Sequence, residues 1–143
     1  MLRDDLLGEL TLYKRFSCFE GKADWTGRAI RITLEVNKDD AESWAAAMAA
    51  MRQLLTAQAE WDEKMRAFAA RELTSLANDW LEDADAAAIT EADFARRIRL
   101  VNLVMEDDGA FMAYHDDDDM FFGHSVTVYG DLKNGLKSAV MGG

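Results

Sequence analysis

Hydrophobic and polar residues alternate towards both ends of the chain, whereas the middle repeats its hydrophobic residues with a helical period. The clearest alternation lies in residues 29–36, where every second side chain is apolar: Ile30, Ile32, Leu34 and Val36. Alternate residues of a β-strand point to opposite faces, so this pattern predicts a strand with one buried and one wet face. Burial on one side only is typical of an antiparallel sheet.

Six segments carry a strand pattern, three before the helical middle and three after it. They are residues 8–14, 16–24, 29–36, 99–106, 110–115 and 121–130. Gly27 lies in a turn between the second and third strands, and Asp107-Asp108-Gly109 is a strong hairpin signal. We expect residues 1–7 to form an extended arm or a short turn, and the polar tail from Asp131 to hold one short strand.

Residues 40–82 contain no glycine or proline and are rich in residues that favour helix. Asp39 is the expected N-cap, with Glu42 completing a capping box. Large apolar residues form two stripes that are out of phase, and residues 56–60 between them contain none. A straight helix of this length would span roughly 64 Å, too long for a domain with a radius of gyration of about 15 Å. We therefore predict a break within residues 56–60; the alternative is one continuous helix that pairs with a second copy.

A short helix is expected at residues 90–97, again with a capping-box pattern at its start. An acidic loop, residues 83–88, separates it from the long helical segment. Strands on both sides of a helical insert predict the α+β class, with about six antiparallel strands and the helices packed on one face. At 143 residues the chain is expected to form a single domain.

The chain is strongly acidic, with 27 Asp and Glu against 16 Lys and Arg and a net charge of −11. Such a chain is repelled by phosphate backbones and anionic lipid, and no basic stripe is visible along the sequence. We therefore expect neither nucleic acid nor membrane as a partner. The charge suits solubility first and a basic protein partner second.

Cys18 is the single cysteine, so an internal disulfide is excluded and a reducing cytoplasm is expected. The first residues carry charges where a signal peptide would have an apolar run, and the apolar stretch 44–51 is too short to cross a membrane. We expect Cys18 to be a buried structural thiol and not a nucleophile.

Four consecutive carboxylates follow His115 and precede His124: Asp116, Asp117, Asp118 and Asp119. Adjacent carboxylates repel one another, so the segment suggests a solvated turn, an acidic knob that faces a partner, or a calcium or magnesium site. The spacing does not match an EF-hand. The two histidines and an aspartate could meet across the hairpin, which is the minimum for a carboxylate-supported metal site. The turn is the simplest interpretation, and His124 is expected to be a hydrogen-bonded core residue on an apolar strand face.

No complete catalytic set is visible, because the sequence lacks GxSxG, P-loop, GxGxxG, HExxH and CxxC motifs. Two histidines and one cysteine also exclude three-histidine and thiolate zinc sites. We therefore predict no cofactor and favour a protein that is not an enzyme. Three of the four tryptophans lie on helical stripes and are expected in the core; Trp25, in a turn, is expected to be exposed and available to a partner.

Three segments together resemble one bacterial family: EGKADWTG; EWDEKMRAFAARELTSLANDWLED followed by ITEADF; and DDDDMFFGHSVTVYGDL. On these segments the chain, from about residue 8 to about residue 135, is similar to the domain-of-unknown-function family 2262. The resemblance implies a small, soluble bacterial protein and supplies no catalytic residues.

Our first hypothesis is a protein-interaction module whose acidic surface binds a basic partner, as antitoxin and immunity proteins do. The residues expected to face that partner are Asp116, Asp117, Asp118, Asp119 and Trp25. The alternative is a divalent-metal-binding domain or a metal-dependent hydrolase that uses the acidic hairpin with His115 and His124. A homodimer built on the exposed part of the helical stripe is a third hypothesis.

Overall fold

A computed structural model of the chain describes residues 2–82 and 86–142, which form one mostly antiparallel sheet and a layer of helices. The strands are β1 (Leu2–Asp4), β2 (Gly8–Tyr13), β3 (Cys18–Trp25), β4 (Arg28–Glu35), β5 (Arg99–Glu106), β6 (Ala110–Asp116), β7 (Ser125–Asp131) and β8 (Gly135–Gly142). The helices are α1 (Ala41–Thr56), α2 (Gln58–Asp79) and α3 (Glu91–Arg97), with a 3-10 turn at Lys14–Phe16. All three helices lie between β4 and β5, as the α+β prediction requires. Part of the predicted acidic loop, residues 83–85, lies outside the described residues.

The strands lie side by side in the order in which they occur in the chain. The predicted strand number is too low, because the described residues contain eight strands. The predicted arm includes β1, which pairs with β2, and the tail forms the full-length edge strand β8. A second correction concerns direction: β4 and β5 are parallel, whereas the other neighbouring pairs are antiparallel. A parallel pair needs a long crossover connection, and the helices supply it.

The long helical segment is interrupted at Ala57, which confirms the predicted break. Ala57 has φ −106° and ψ 30°, so it leaves the helical conformation between α1 and α2. The next residue, Gln58, accepts a hydrogen bond from the Thr26 N–H at 2.5 Å and donates one to the Asp24 carbonyl at 3.2 Å. The start of α2 is thereby fixed against the turn between β3 and β4.

The two predicted helix starts have different outcomes. Asp40, not Asp39, is the N-cap of α1, and its carboxylate accepts a hydrogen bond from the Glu42 N–H at 3.0 Å. Asp39 instead donates its own N–H to the side chain of Asn37, inside the preceding turn. The capping box of α3 is confirmed, since Thr90 and Asp93 exchange both of its hydrogen bonds.

The core lies between the helices and one face of the sheet. The alternate residues of β4 that the pattern predicted to be buried belong to it, together with residues of all three helices. Aromatic side chains join the layers edge to face, with ring centroids 5.2–5.6 Å apart, in the pairs Phe19–Trp44, Trp61–Phe111 and Trp80–Phe121. Within the described residues, no helix is long and apolar enough to span a membrane.

The side chains between these core positions point to the opposite face of the sheet, which we call the open face. Val104 and Cys18 are buried on it, but neither belongs to the hydrophobic core cluster. Arg31 and Glu35 are exposed there.

Candidate functional site

The register of the sheet places the residues of the open face in rows that cross the strands. The first row is Lys22, Arg31, Asn102, Tyr114 and Thr127. The second row is Glu20, Thr33, Val104, Met112 and Tyr129. The third row is Cys18, Glu35 and Glu106. Because a strand rises about 3.3 Å per residue, the first and third rows lie roughly 13 Å apart.

Like charges are neighbours at both ends of this face. Lys22 lies directly opposite Arg31, and Glu35 lies directly beside Glu106. Like charges at paired positions destabilise a sheet, whereas opposite charges would stabilise it. Departures from such local rules concentrate at functional sites. We therefore take the open face as the candidate functional surface.

The acidic end is a depression of about 420 Å³, which we call the acidic groove. Its lining residues are Phe16, Ser17, Glu35, Val36, Glu106 and Asp107. Asp107 is held by the Ser43 hydroxyl, which donates a hydrogen bond to it at 2.6 Å. Glu35 and Glu106 take part in none of the ion pairs found among the described residues. Phe16, on the border of the groove, is 68% exposed.

The acidic groove concentrates negative charge. Burial raises the pKa of Glu106, and the nearby carboxylates of Asp108, Glu35 and Asp107 raise it further. Burial also raises the pKa of the Cys18 thiol, with Glu20 and Glu35 adding to the effect. Cys18 is therefore buried and protonated at neutral pH, which agrees with the predicted structural role.

At the other end of the open face, four cations lie around two adjoining depressions that share Val101. Lys22 and Arg31 border one, with a volume of about 390 Å³, and Arg28 and Arg99 border the other, of about 340 Å³. We call the two depressions together the basic groove. The sequence shows no basic stripe because these residues are brought together only by strand pairing.

The four predicted partner-facing aspartates have different environments. Asp117 is buried, and its carboxylate accepts hydrogen bonds from the N–H groups of Asp119, Phe121 and Gly123 at 2.9–3.1 Å. Asp116, Asp118 and Asp119 are exposed, and Asp118 accepts a hydrogen bond from Arg97 at 2.8 Å. The predicted turn is confirmed, and the buried Asp117 carboxylate stabilises it through its hydrogen bonds to the backbone. A role of the other three aspartates in partner binding stays a prediction.

The two histidines differ from each other. His115 is buried, with Nδ1 3.1 Å from the Ala113 carbonyl and Nε2 without a partner among the described residues. Burial, with a smaller contribution from the charge of Arg66, lowers the pKa of His115 to about 4, so the ring is neutral at pH 7. His124 lies in the turn before β7, and not on a strand as predicted, because β7 begins only at Ser125. Its Nδ1 is 2.6 Å from the Phe121 carbonyl.

The metal hypothesis depends on these histidines and Asp116. All three residues border the second depression of the basic groove. The described part of the chain nevertheless contains no group of three His, Cys, Asp or Glu side chains positioned to hold a metal ion.

Trp25 is 2% exposed, so the prediction of an exposed tryptophan is wrong. Its indole N–H donates a hydrogen bond to Asp62 at 2.8 Å. Asp62 also pairs with Arg66, which donates to the Ala95 and Ile98 carbonyls at 2.7 and 2.6 Å. The physical reason is that α2 starts over the β3–β4 turn and covers Trp25. The residues next to Trp25 in the sequence give no indication of this cover.

Comparison with known proteins identifies a family but no activity. The family model described as "Uncharacterized protein conserved in bacteria", domain-of-unknown-function family 2262, matches residues 4–141. No curated protein and no solved structure matches the chain. The match covers nearly all of the chain and confirms the resemblance seen in the sequence.

Proposed function

The chain belongs to this bacterial family, and we propose that it is a non-enzymatic interaction module whose acidic groove binds a basic segment of a partner protein. The observation that carries the proposal is the neighbouring carboxylates of Glu35 and Glu106, which form no ion pair with any residue that the structure describes. Repulsion between the two carboxylates lowers the stability of the free protein, and a cationic side chain placed between Glu35 and Glu106 would remove this repulsion.

The groove offers two kinds of contact that a partner segment can use, carboxylates and an exposed aromatic ring. Arginine and aromatic residues are the most frequent energetic anchors of interfaces, and an arginine can donate two hydrogen bonds to a carboxylate. Phe16 offers an exposed apolar surface beside the carboxylates. A partner segment with a basic residue next to an apolar one would therefore find both contacts within one depression.

The charge of the whole chain supports the same class of partner. At a net charge of −11 it attracts basic proteins over long range and accelerates their association. We favour a biological role in which the protein binds and masks a cationic effector, as antitoxin and immunity proteins do. We place it in the cytoplasm, where a single buried thiol stays reduced.

A pull-down from bacterial lysate tests the proposal with three baits: the wild type, Glu35→Gln/Glu106→Gln, and the control Glu63→Gln/Glu72→Gln. The control removes the same charge from exposed positions of α2. We expect the wild type and the control to retain the same basic protein at low ionic strength and to release it at high ionic strength. The groove variant should retain little of it.

The retained protein is then purified and its affinity measured against the same baits and Phe16→Ala. Loss of roughly tenfold or more in affinity is expected for the groove variant, since charge-assisted hydrogen bonds are involved. Recovery of no basic protein, or equal affinity for the groove variant and the control, would contradict the proposal.

A further inference from the structure

The basic groove has no role in the proposed function, and we propose that it binds a soluble phosphorylated small molecule. The phosphate would lie against Lys22 and Arg31, and the hydroxyl-bearing body of the molecule would extend past Val101 towards Asp116.

The cations of the basic groove lie close together at one end of the open face. None of the ion pairs in the described part of the chain includes Lys22, Arg28, Arg31 or Arg99. All four side chains are exposed. Arg99 lies opposite Asp116 in the register but forms no ion pair with it. Lys22 and Arg31 are direct cross-strand neighbours, so a bound anion would replace a repulsion with two attractions.

The backbone beneath the groove is irregular. The register of β5 against β6 shifts between Leu100 and Asn102, so Val101 is the extra residue of a β-bulge. Bulges re-aim side chains and are over-represented next to binding sites. Val101 is 47% exposed and lies where the two depressions meet, which gives the groove an apolar floor at its centre.

The groove also has the size and the chemical groups that a phosphate ester requires. Each depression has the volume of a small-molecule site, about 390 and 340 Å³. The arginine fork and the lysine ammonium both suit a phosphate group. The far depression contains Asp116, His124 and Ser125, which can exchange hydrogen bonds with hydroxyl groups. Asp116 would repel a second phosphate, and this favours a monophosphate ester over a nucleic-acid strand.

Isothermal titration calorimetry at constant ionic strength tests the proposal, with ribose 5-phosphate, ribose and inorganic phosphate as probes. We expect saturable binding of ribose 5-phosphate, weaker binding of inorganic phosphate and none of ribose. Arg31→Gln should weaken binding roughly tenfold, because it removes a charge-assisted contact. Arg71→Gln, on α2 and thus in the helix layer, should leave it unchanged.

Arg31→Gln removes a like-charge contact and is expected to fold, which a thermal melt verifies. Absence of saturable binding, or equal binding by the two variants, would overturn the proposal. Tighter binding to a DNA oligonucleotide or to phosphatidylglycerol vesicles than to ribose 5-phosphate would overturn the assignment to a soluble small molecule. Glu35→Gln/Glu106→Gln should bind the sugar phosphate as the wild type does, so the two proposals fail independently.

Discussion

Exchanging one charge at each end of the open face should stabilise the protein. Lys22→Glu would place a carboxylate opposite Arg31, and Glu106→Lys would place an ammonium beside Glu35. Both like-charge pairs become ion pairs, while the net charge stays at −11. Any change in stability then reports the local arrangement and not the total charge.

The gain follows from the value of cross-strand pairs. An opposite-charge pair contributes about 0.2–1 kcal/mol, and a like-charge pair costs a similar amount. Because Lys22, Arg31 and Glu35 are exposed, we expect about 0.5–2 kcal/mol for the two ends together. A chain of 143 residues has an unfolding entropy of about 0.3 kcal/mol/K, so Tm should rise by about 2–7 °C.

Circular dichroism melts at low and high ionic strength measure this gain, which salt should reduce. A matched control is Glu60→Lys/Lys64→Glu, which reverses an existing ion pair of 3.3 Å on α2 at constant net charge. The reversed order is the weaker one along a helix, so this control should not gain stability. An unchanged or lower Tm for the open-face exchange would refute the conclusion that its charges are arranged at a cost to stability.

Four further substitutions test individual residues. Glu106→Gln should raise stability at pH 7 but not at pH values well below 4.5. Because the pKa of Glu106 is raised above 4.5 in the folded protein, ionisation of this carboxyl destabilises the protein as pH rises through that range. Thermal melts at a series of pH values measure the difference between the variant and the wild type. His115→Phe should remove a loss of stability that occurs in the wild type as pH falls from 6.5 to about 4. In that range the histidine of the unfolded chain binds a proton and the buried histidine of the folded chain does not, which lowers stability by roughly 3 kcal/mol. Asp117→Asn should cost about 1–3 kcal/mol in urea unfolding because it loses acceptors for buried N–H groups, whereas the exposed Asp119→Asn should stay within about 0.5 kcal/mol. Trp25→Phe should cost about 1–2 kcal/mol through the lost hydrogen bond to α2, and partner affinity should not change in the pull-down assay.

The elements that the sequence predicted well are those with strong local signals. The phase change around residues 56–60 located the break at Ala57, and the spacing of Thr90 and Asp93 located the start of α3. The alternation in β4 identified its buried face. In each case the deciding contacts lie within a few residues of one another along the chain.

The missed features depend on contacts between distant residues. Strand β8 contains four polar or glycine residues among its eight, so its hydrophobic alternation is weak. Trp25 was expected in water because nothing near it in sequence indicates that Asp62 and Gln58 would cover its turn. The cations of the basic groove come from β3, β4 and β5, which only the sheet register brings together.

The parallel pairing of β4 and β5 is the reason that the charges of the open face are separated. On the open face each strand carries an arginine before its final glutamate: Arg31 and Glu35 in β4, and Arg99 and Glu106 in β5. In an antiparallel hairpin the arginine of each strand would lie near the glutamate of the other, and the charges would pair. The helical crossover instead makes the strands run in the same direction, so arginines gather at one end and glutamates at the other. One topological feature therefore creates both grooves, and this explains how an acidic chain can present a cationic site beside an anionic one.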